Sequence, residues 1–228
     1  MSLPLLSTEH YSAFIYPNES AGVIAIQPHR LASDGTSSNR PSRPRITGQA
    51  ILDDGTVDYF EKASDDVQRH WKTKLGGVIA KHMVRMEARK QGKNWNGHYD
   101  FAFIEFPDGY ELYTHKTGDR HVPRIDHYLF GSKYVHVFRS TREFAPHLLW
   151  LLRGKPMKPD GGRDCDCQYC DGSATQTDIS RKYFNVPARE PREPAGGSNS
   201  KPRQKQPRAP RQTVPIPAKD YTKLSSNR

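Results

Sequence analysis

Cys165, Cys167 and Cys170 are the only cysteines in this 228-residue chain, and they stand as C-x-C-x2-C. Thiolates one and two residues apart can converge on a single zinc ion. Their setting supports that use, because Gly161-Gly162, Asp164 and Asp166 make the loop a poor place for core cysteines. An odd, clustered set does not suit a disulfide framework, whereas metal ligation in a reducing compartment does. Upstream, Phe144, His147, Leu148 and Leu151 fall on one stripe of a helix. His147 is thereby the preferred fourth ligand of a Cys3His set, with His127, His136 or water as alternatives. A closed four-ligand site is structural and leaves no position for a reacting water. None of the ten histidines has Glu two places later, and no His-Glu-x-x-His, Gly-x-Ser-x-Gly or Walker loop occurs. An enzyme is not expected, nor a small-molecule substrate.

Elements that would position these residues can be read on either side. Ser140-x-x-Glu143 is a capping box that opens the histidine helix, with Pro146 in about its first turn. Before it, four short strands are expected over about 98–106, 109–115, 124–131 and 134–138. Pro107-Asp108-Gly109 turns between the first two. Val67, Trp71, Leu75, Val78, Ile79, Met83 and Met86 recur at helical spacing, with Asp65 and Asp66 placed to cap that helix. Gly76-Gly77 weakens it by about 1 kcal/mol per glycine unless something packs closely there. The pattern is α+β: a small antiparallel sheet of about four strands between a long N-terminal helix and a C-terminal helix, stapled by zinc.

Outside this body, residues 1–64 read as a β-rich extension. Gly22 to Ile26 is its best strand, 29–48 a Ser/Arg/Pro/Gly linker, and Asp53-Asp54-Gly55-Thr56 a hairpin turn. Residues 65–172 form the body. From 173 to 228 the composition turns to Pro, Arg, Lys, Gln and Ser, which cannot bury enough surface to offset ordering entropy, so a disordered tail is expected. Tyr183 to Val186 is its one docking candidate.

Charge follows the same division. Residues 173–228 carry 12 Lys/Arg against 4 Asp/Glu, while 46–172 carry 19 against 18. The tail alone can give salt-sensitive contact with phosphates, and Lys201 to Arg211 suits a nuclear import signal. No secretory leader pattern and no apolar run of membrane-spanning length are found, so a soluble, intracellular protein without membrane contact is expected.

The order Pro107-Asp108-Gly109-Tyr110, Lys116-Thr117-Gly118, Asp126-His127-Tyr128, Phe138-Arg139-Ser140 and helix resembles a methyl-CpG-binding domain. Trp71 to Gly76, Asp126 to Gly131, Phe144 to Leu151 and the cysteine knuckle narrow it. Over residues 66–171 the chain is similar to the N-terminal domain of the fungal transcription-silencing family called cryptic loci regulator two. That resemblance implies heterochromatic silencing in the nucleus, as part of a repressor complex with a histone deacetylase. It also implies duplex DNA as a partner. Methyl-CpG domains read guanine through two arginines, whose planar forks pair with O6 and N7. Arg139 matches the second, and Asp126 and Tyr128 match the accompanying strand residues. His115 and Lys116 stand where the first would be, and lysine lacks the fork. The implied interface is Lys116, Arg120, Asp126, Tyr128 and Arg139 on one face, with Lys116 and Arg120 holding phosphates and little methyl-CpG selectivity. A zinc-stapled adaptor for protein partners, touching nucleic acid only through its tail, is the alternative.

Overall fold

The computed structural model describes residues 4–15, 23–38, 40–41, 52, 55–93, 100–170, 172 and 174–185. The chain divides into two units, 1–188 and 189–228. The second lies outside the described residues, and with it the Lys201 to Arg211 run and the bulk of the expected disordered tail.

The first strands are β1 (Leu6–Ser7), β2 (Tyr11–Ile15) and β3 (Val23–Pro28). Ile24, Ala25 and Ile26 of β3 are all buried. A strand apolar on both faces belongs inside a sheet, with a neighbour on each side. One neighbour is antiparallel β2 and the other is parallel β5 (Asp100–Phe103), with Ile24 opposite Phe101 and Ile26 opposite Phe103. This pairing overturns the single antiparallel sheet. The strand expected at 98–106 joins the N-terminal segment in a sheet ordered β1-β2-β3-β5. The other sheet is β4 (Thr56–Lys62), β6 (Glu111–Asp119) and β7 (Arg124–Phe130), ordered β4-β6-β7. The expected strand at 134–138 is reduced to one bridge between Phe138 and Leu129. The first arm of the hairpin expected around Asp53-Asp54 lies outside the described residues, apart from Leu52.

A parallel pair needs a long crossover, and here the crossover carries the long helix. It runs as α1 (Asp65–Ile79), a π-helical turn (Ala80–Val84) and α2 (Arg85–Lys90). Ser64 rather than Asp65 is its N-cap residue, and Asp65 and Asp66 fill the first turn, where their charge suits the positive end. A Cβ on Gly76 would sit 2.4 Å from the carbonyl oxygen of Phe101. Only glycine lets α1 approach β5 this closely. Gly77 meets nothing within 4 Å, so only the first of the two glycines has a packing reason.

Helix α3 (Thr141–Leu152) starts at Ser140, whose hydroxyl accepts from the Glu143 amide at 3.3 Å. The Glu143 carboxylate accepts from the Arg139 amide at 2.7 Å. Pro146 lies inside the helix, beyond the first turn where its missing N–H would cost nothing. Every residue from Phe144 to Leu152 is buried, so α3 is a core helix covered all round rather than an amphipathic one with a stripe.

Disorder from residue 173 does not hold for the residues described there. Helix α4 (Gln176–Phe184) opens with a complete capping box between Thr175 and Asp178. Its Ile179 and Tyr183 are buried in the main core. The π-helical turn meets it twice: Lys81 Nζ reaches Asn185 Oδ1 at 2.6 Å, and His82 Nε2 lies 3.4 Å from the Tyr183 carbonyl. No helix among the described residues is long and apolar enough to cross a membrane.

Candidate metal centre and surface cleft

Helix α3 carries His147 into the core, and the loop after it folds back over the ring. Trp150 Nε1 donates to the Pro156 carbonyl at 2.8 Å, and the Asp164 amide donates to the same carbonyl at 3.0 Å. The knuckle is thus delivered to α3. The ligand atoms of His147, Cys165, Cys167 and Cys170 all lie within 4.8 Å of one another. His147 Nδ1 stands 3.6 Å from Cys165 Sγ, 3.8 Å from Cys167 Sγ and 3.5 Å from Cys170 Sγ. Zinc bonds of about 2.3 Å to sulfur and 2.0–2.1 Å to nitrogen span a tetrahedral edge of about 3.5–3.6 Å. The three N–S distances lie close to that edge, and all three thiols are free of disulfides. The Cys170 amide also donates to Cys167 Sγ at 3.3 Å, as suits a sulfur carrying negative charge. His127 and His136 are not in the cluster, so of the three candidate histidines His147 alone is placed to complete the set.

Electrostatics point the same way. Burial disfavours a charged His147 ring, but hydrogen bonds from the ring to Asp34, Cys167 and Cys170 outweigh it and hold its pKa well above the ordinary histidine value. Hydrogen bonds among the three sulfurs pull the Cys170 thiol down and push the Cys165 thiol up. Three sulfurs and a carboxylate around one ring form a pocket for positive charge.

Asp34 escapes the sequence reading, which assigned it to a linker. Its carboxylate faces the other ring nitrogen, with Oδ2 at 3.3 Å from His147 Nε2. Ser132 Oγ donates to Oδ2 at 2.8 Å, and Tyr110 Oη donates to Oδ1. Burial would raise the Asp34 pKa, but His147, Tyr110 and Ser132 more than offset it and keep the carboxyl ionised. No short-range signal marks Asp34, because its partners lie 76 to 113 residues away.

The expected DNA face is only partly assembled. Cross-strand register sets Phe60, His115 and Asp126 on one side of the β4-β6-β7 sheet, and Tyr59, Lys116 and Ile125 on the other. Lys116 is therefore opposite Asp126 and Tyr128, not beside them. It pairs with Glu61 at 2.8 Å, which raises its pKa. Asp126 is held by Arg124 at 2.7 Å. Arg120 is exposed at the hairpin end, with its Nε donating to His121 at 2.9 Å. Tyr128 joins an aromatic group with Phe60 and His115, whose rings stack at 4.1 Å. Arg139 opens instead onto a cleft of about 280 Å³ between α1, β7 and the start of α3, lined also by His70, Lys74, Asp126, His127 and Ser140. His70 and Lys74 were missed because they belong to the helix read only for its apolar side.

Residues 101–170 match the family model for the transcription-silencing protein, cryptic loci regulator Clr2. The model matched is that of the family the motifs resemble. The matched stretch holds Arg139, His147 and the whole cysteine knuckle, but not Asp34 or α1. A search of the curated proteins found no match. Among solved structures, "Structure of Clr2 bound to the Clr1 C-terminus" is similar at 19% identity and a TM-score of 0.42, over 67% of this chain and 32% of that one. The match spans about a third of that chain's length.

Proposed function

We propose that this Clr2-related chain is a non-catalytic chromatin domain of transcriptional silencing in the nucleus, held together by structural zinc, that touches duplex DNA at the Arg139 cleft. His147, Cys165, Cys167 and Cys170 would hold the ion. Its contribution is to tie the loop after α3 to the core. The observation that carries the DNA reading is the placing of exposed Arg139 at one opening with His70 and Lys74. Among the described residues, Arg139 and Lys74 make no ion pair, whereas Lys116, Arg124 and Arg69 each do. Arg139 is then the group free to reach a base edge, with Lys74 and the hairpin's Arg120 on phosphates. Residues beyond 188 would add sequence-independent attraction through their Lys and Arg. Recruitment of a histone-deacetylase complex would turn this contact into repression.

The test is duplex binding by residues 1–188 across a salt series. Loss of one bidentate arginine–guanine contact costs about 1–3 kcal/mol, so Arg139→Ala should weaken binding about tenfold or more. CpG methylation should change affinity little. Absence of binding at low salt would favour the second reading, a zinc-stapled adaptor for protein partners. The paired state of Lys116, Arg124 and Asp126 supports that reading.

A further inference from the structure

We infer that Asp34, from the segment that reads as a linker, is a positioning residue for the metal centre, so that tight zinc binding requires the N-terminal segment as well as the four ligands. The inference rests on the zinc reading above. A metal on His147 Nδ1 leaves the ring proton on Nε2, and Asp34 Oδ2 is the carboxylate 3.3 Å from that atom. A carboxylate behind a ligating histidine fixes its tautomer and ring direction and raises the basicity of the ligating nitrogen.

Three further observations make this a built arrangement. The Asp34 side chain is 4% exposed and the His147 side chain 0%. Tyr110 and Ser132 fix both carboxylate oxygens, and Ser132 Oγ also lies 3.4 Å from His147 Nε2. The backbone of the segment is then pinned on each side. Ser33 Oγ donates to the Asp108 carbonyl at 2.6 Å, the Lys133 amide donates to the Asp34 carbonyl at 3.1 Å, and the Thr36 amide donates to the Gly131 carbonyl at 2.6 Å. Gly35 lies so close that a Cβ would come 1.9 Å from the Asp108 oxygen. The segment is held by the turn before β6 and by the residues after β7, at the level of the ring.

The full chain, purified with zinc, tests this by competition with a chromophoric chelator and by the Co²⁺-substituted spectrum. Losing the hydrogen-bond partner behind a ligating histidine typically costs about 10–100-fold in metal affinity. Asp34→Ala should fall in that range. Asp34→Asn, which keeps the shape and an acceptor but not the charge, should fall between it and the unmodified chain. In both, the thiolate-to-cobalt bands should persist, while the ¹⁵N signal of His147 Nε2 should move away from that of a strong donor. If Asp34→Ala does not fold, Asp34→Asn decides alone. Affinity within twofold of the unmodified chain together with an unmoved Nε2 signal would overturn the role of Asp34 and leave the zinc reading standing. Failure of the unmodified chain to bind zinc or Co²⁺ would defeat the zinc reading itself, and this inference with it.

Discussion

The layer around His147 and the outer sheet β4-β6-β7 treat polar groups in opposite ways. Around His147 the polar side chains are buried or half-buried and answer one another: Asp34 by Tyr110 and Ser132, and the ring by three sulfurs. On the sheet, Lys116 meets Glu61 and Arg124 meets Asp126 at the surface, within reach of water. A buried network loses a great deal when one member goes, because the rest are left without partners. Surface pairs are worth about 0–1 kcal/mol and are weakened by salt. The first region defines the fold, and the second is free to change partners.

Chelation tests the contrast where it is greatest. Metal binding at a structural site is folding free energy, and each kcal/mol moves the melting midpoint of a domain this size by about 2–4 °C. Stripping zinc should lower the midpoint by about 10 °C or more in calorimetry, whereas raising salt to weaken the sheet's ion pairs should move it by only about 1–2 °C. Equal responses would dissolve the comparison.

A smaller effect is expected where α1 meets β5. Gly76→Ala forces its methyl into the Phe101 carbonyl and should cost about 1–3 kcal/mol in urea unfolding. Gly77→Ala meets open space and should gain up to about 1 kcal/mol from helix propensity. Opposite signs at adjacent residues would fix the packing of α1 on β5.

Smallest of all should be Lys116→Ala. It removes one partly exposed pair, so stability should change by under about 1 kcal/mol. DNA affinity should also fall less than with Arg139→Ala. A larger loss of binding than Arg139→Ala would move the interface from the Arg139 cleft to Lys116.

What could be read from the sequence was local. The cysteine spacing, the Ser140–Glu143 cap and the place of His147 on a helix all sit within a few turns of chain. Helix α4 also had local marks, in the Thr175–Asp178 box and the Ile179/Tyr183 pair, but the basic composition of the whole tail outweighed them. The side on which Lys116 lies was not legible. Alternation fixes faces within one strand, while a shift of one residue in the β6–β7 register would invert the relation between strands. Asp34 was hidden for a related reason, since Ser33-Asp34-Gly35 reads as an ordinary turn until residues 108–110 and 131–133 close around it. The partition of the strands between two sheets depended on the parallel β3–β5 pairing, for which a single chain offers no local rule.

The pairing of β3 with β5 has a consequence in time. As the chain leaves the ribosome, Val23 to Pro28 must wait for Asp100 to Phe103 before the sheet can form. Asp34 must wait longer, for His147 and the knuckle that ends at Cys170. Contacts this distant in sequence make folding slow and leave apolar strands uncovered meanwhile. The metal would then be among the last components to arrive, and a shortage of it would be felt by newly made chains before those already folded.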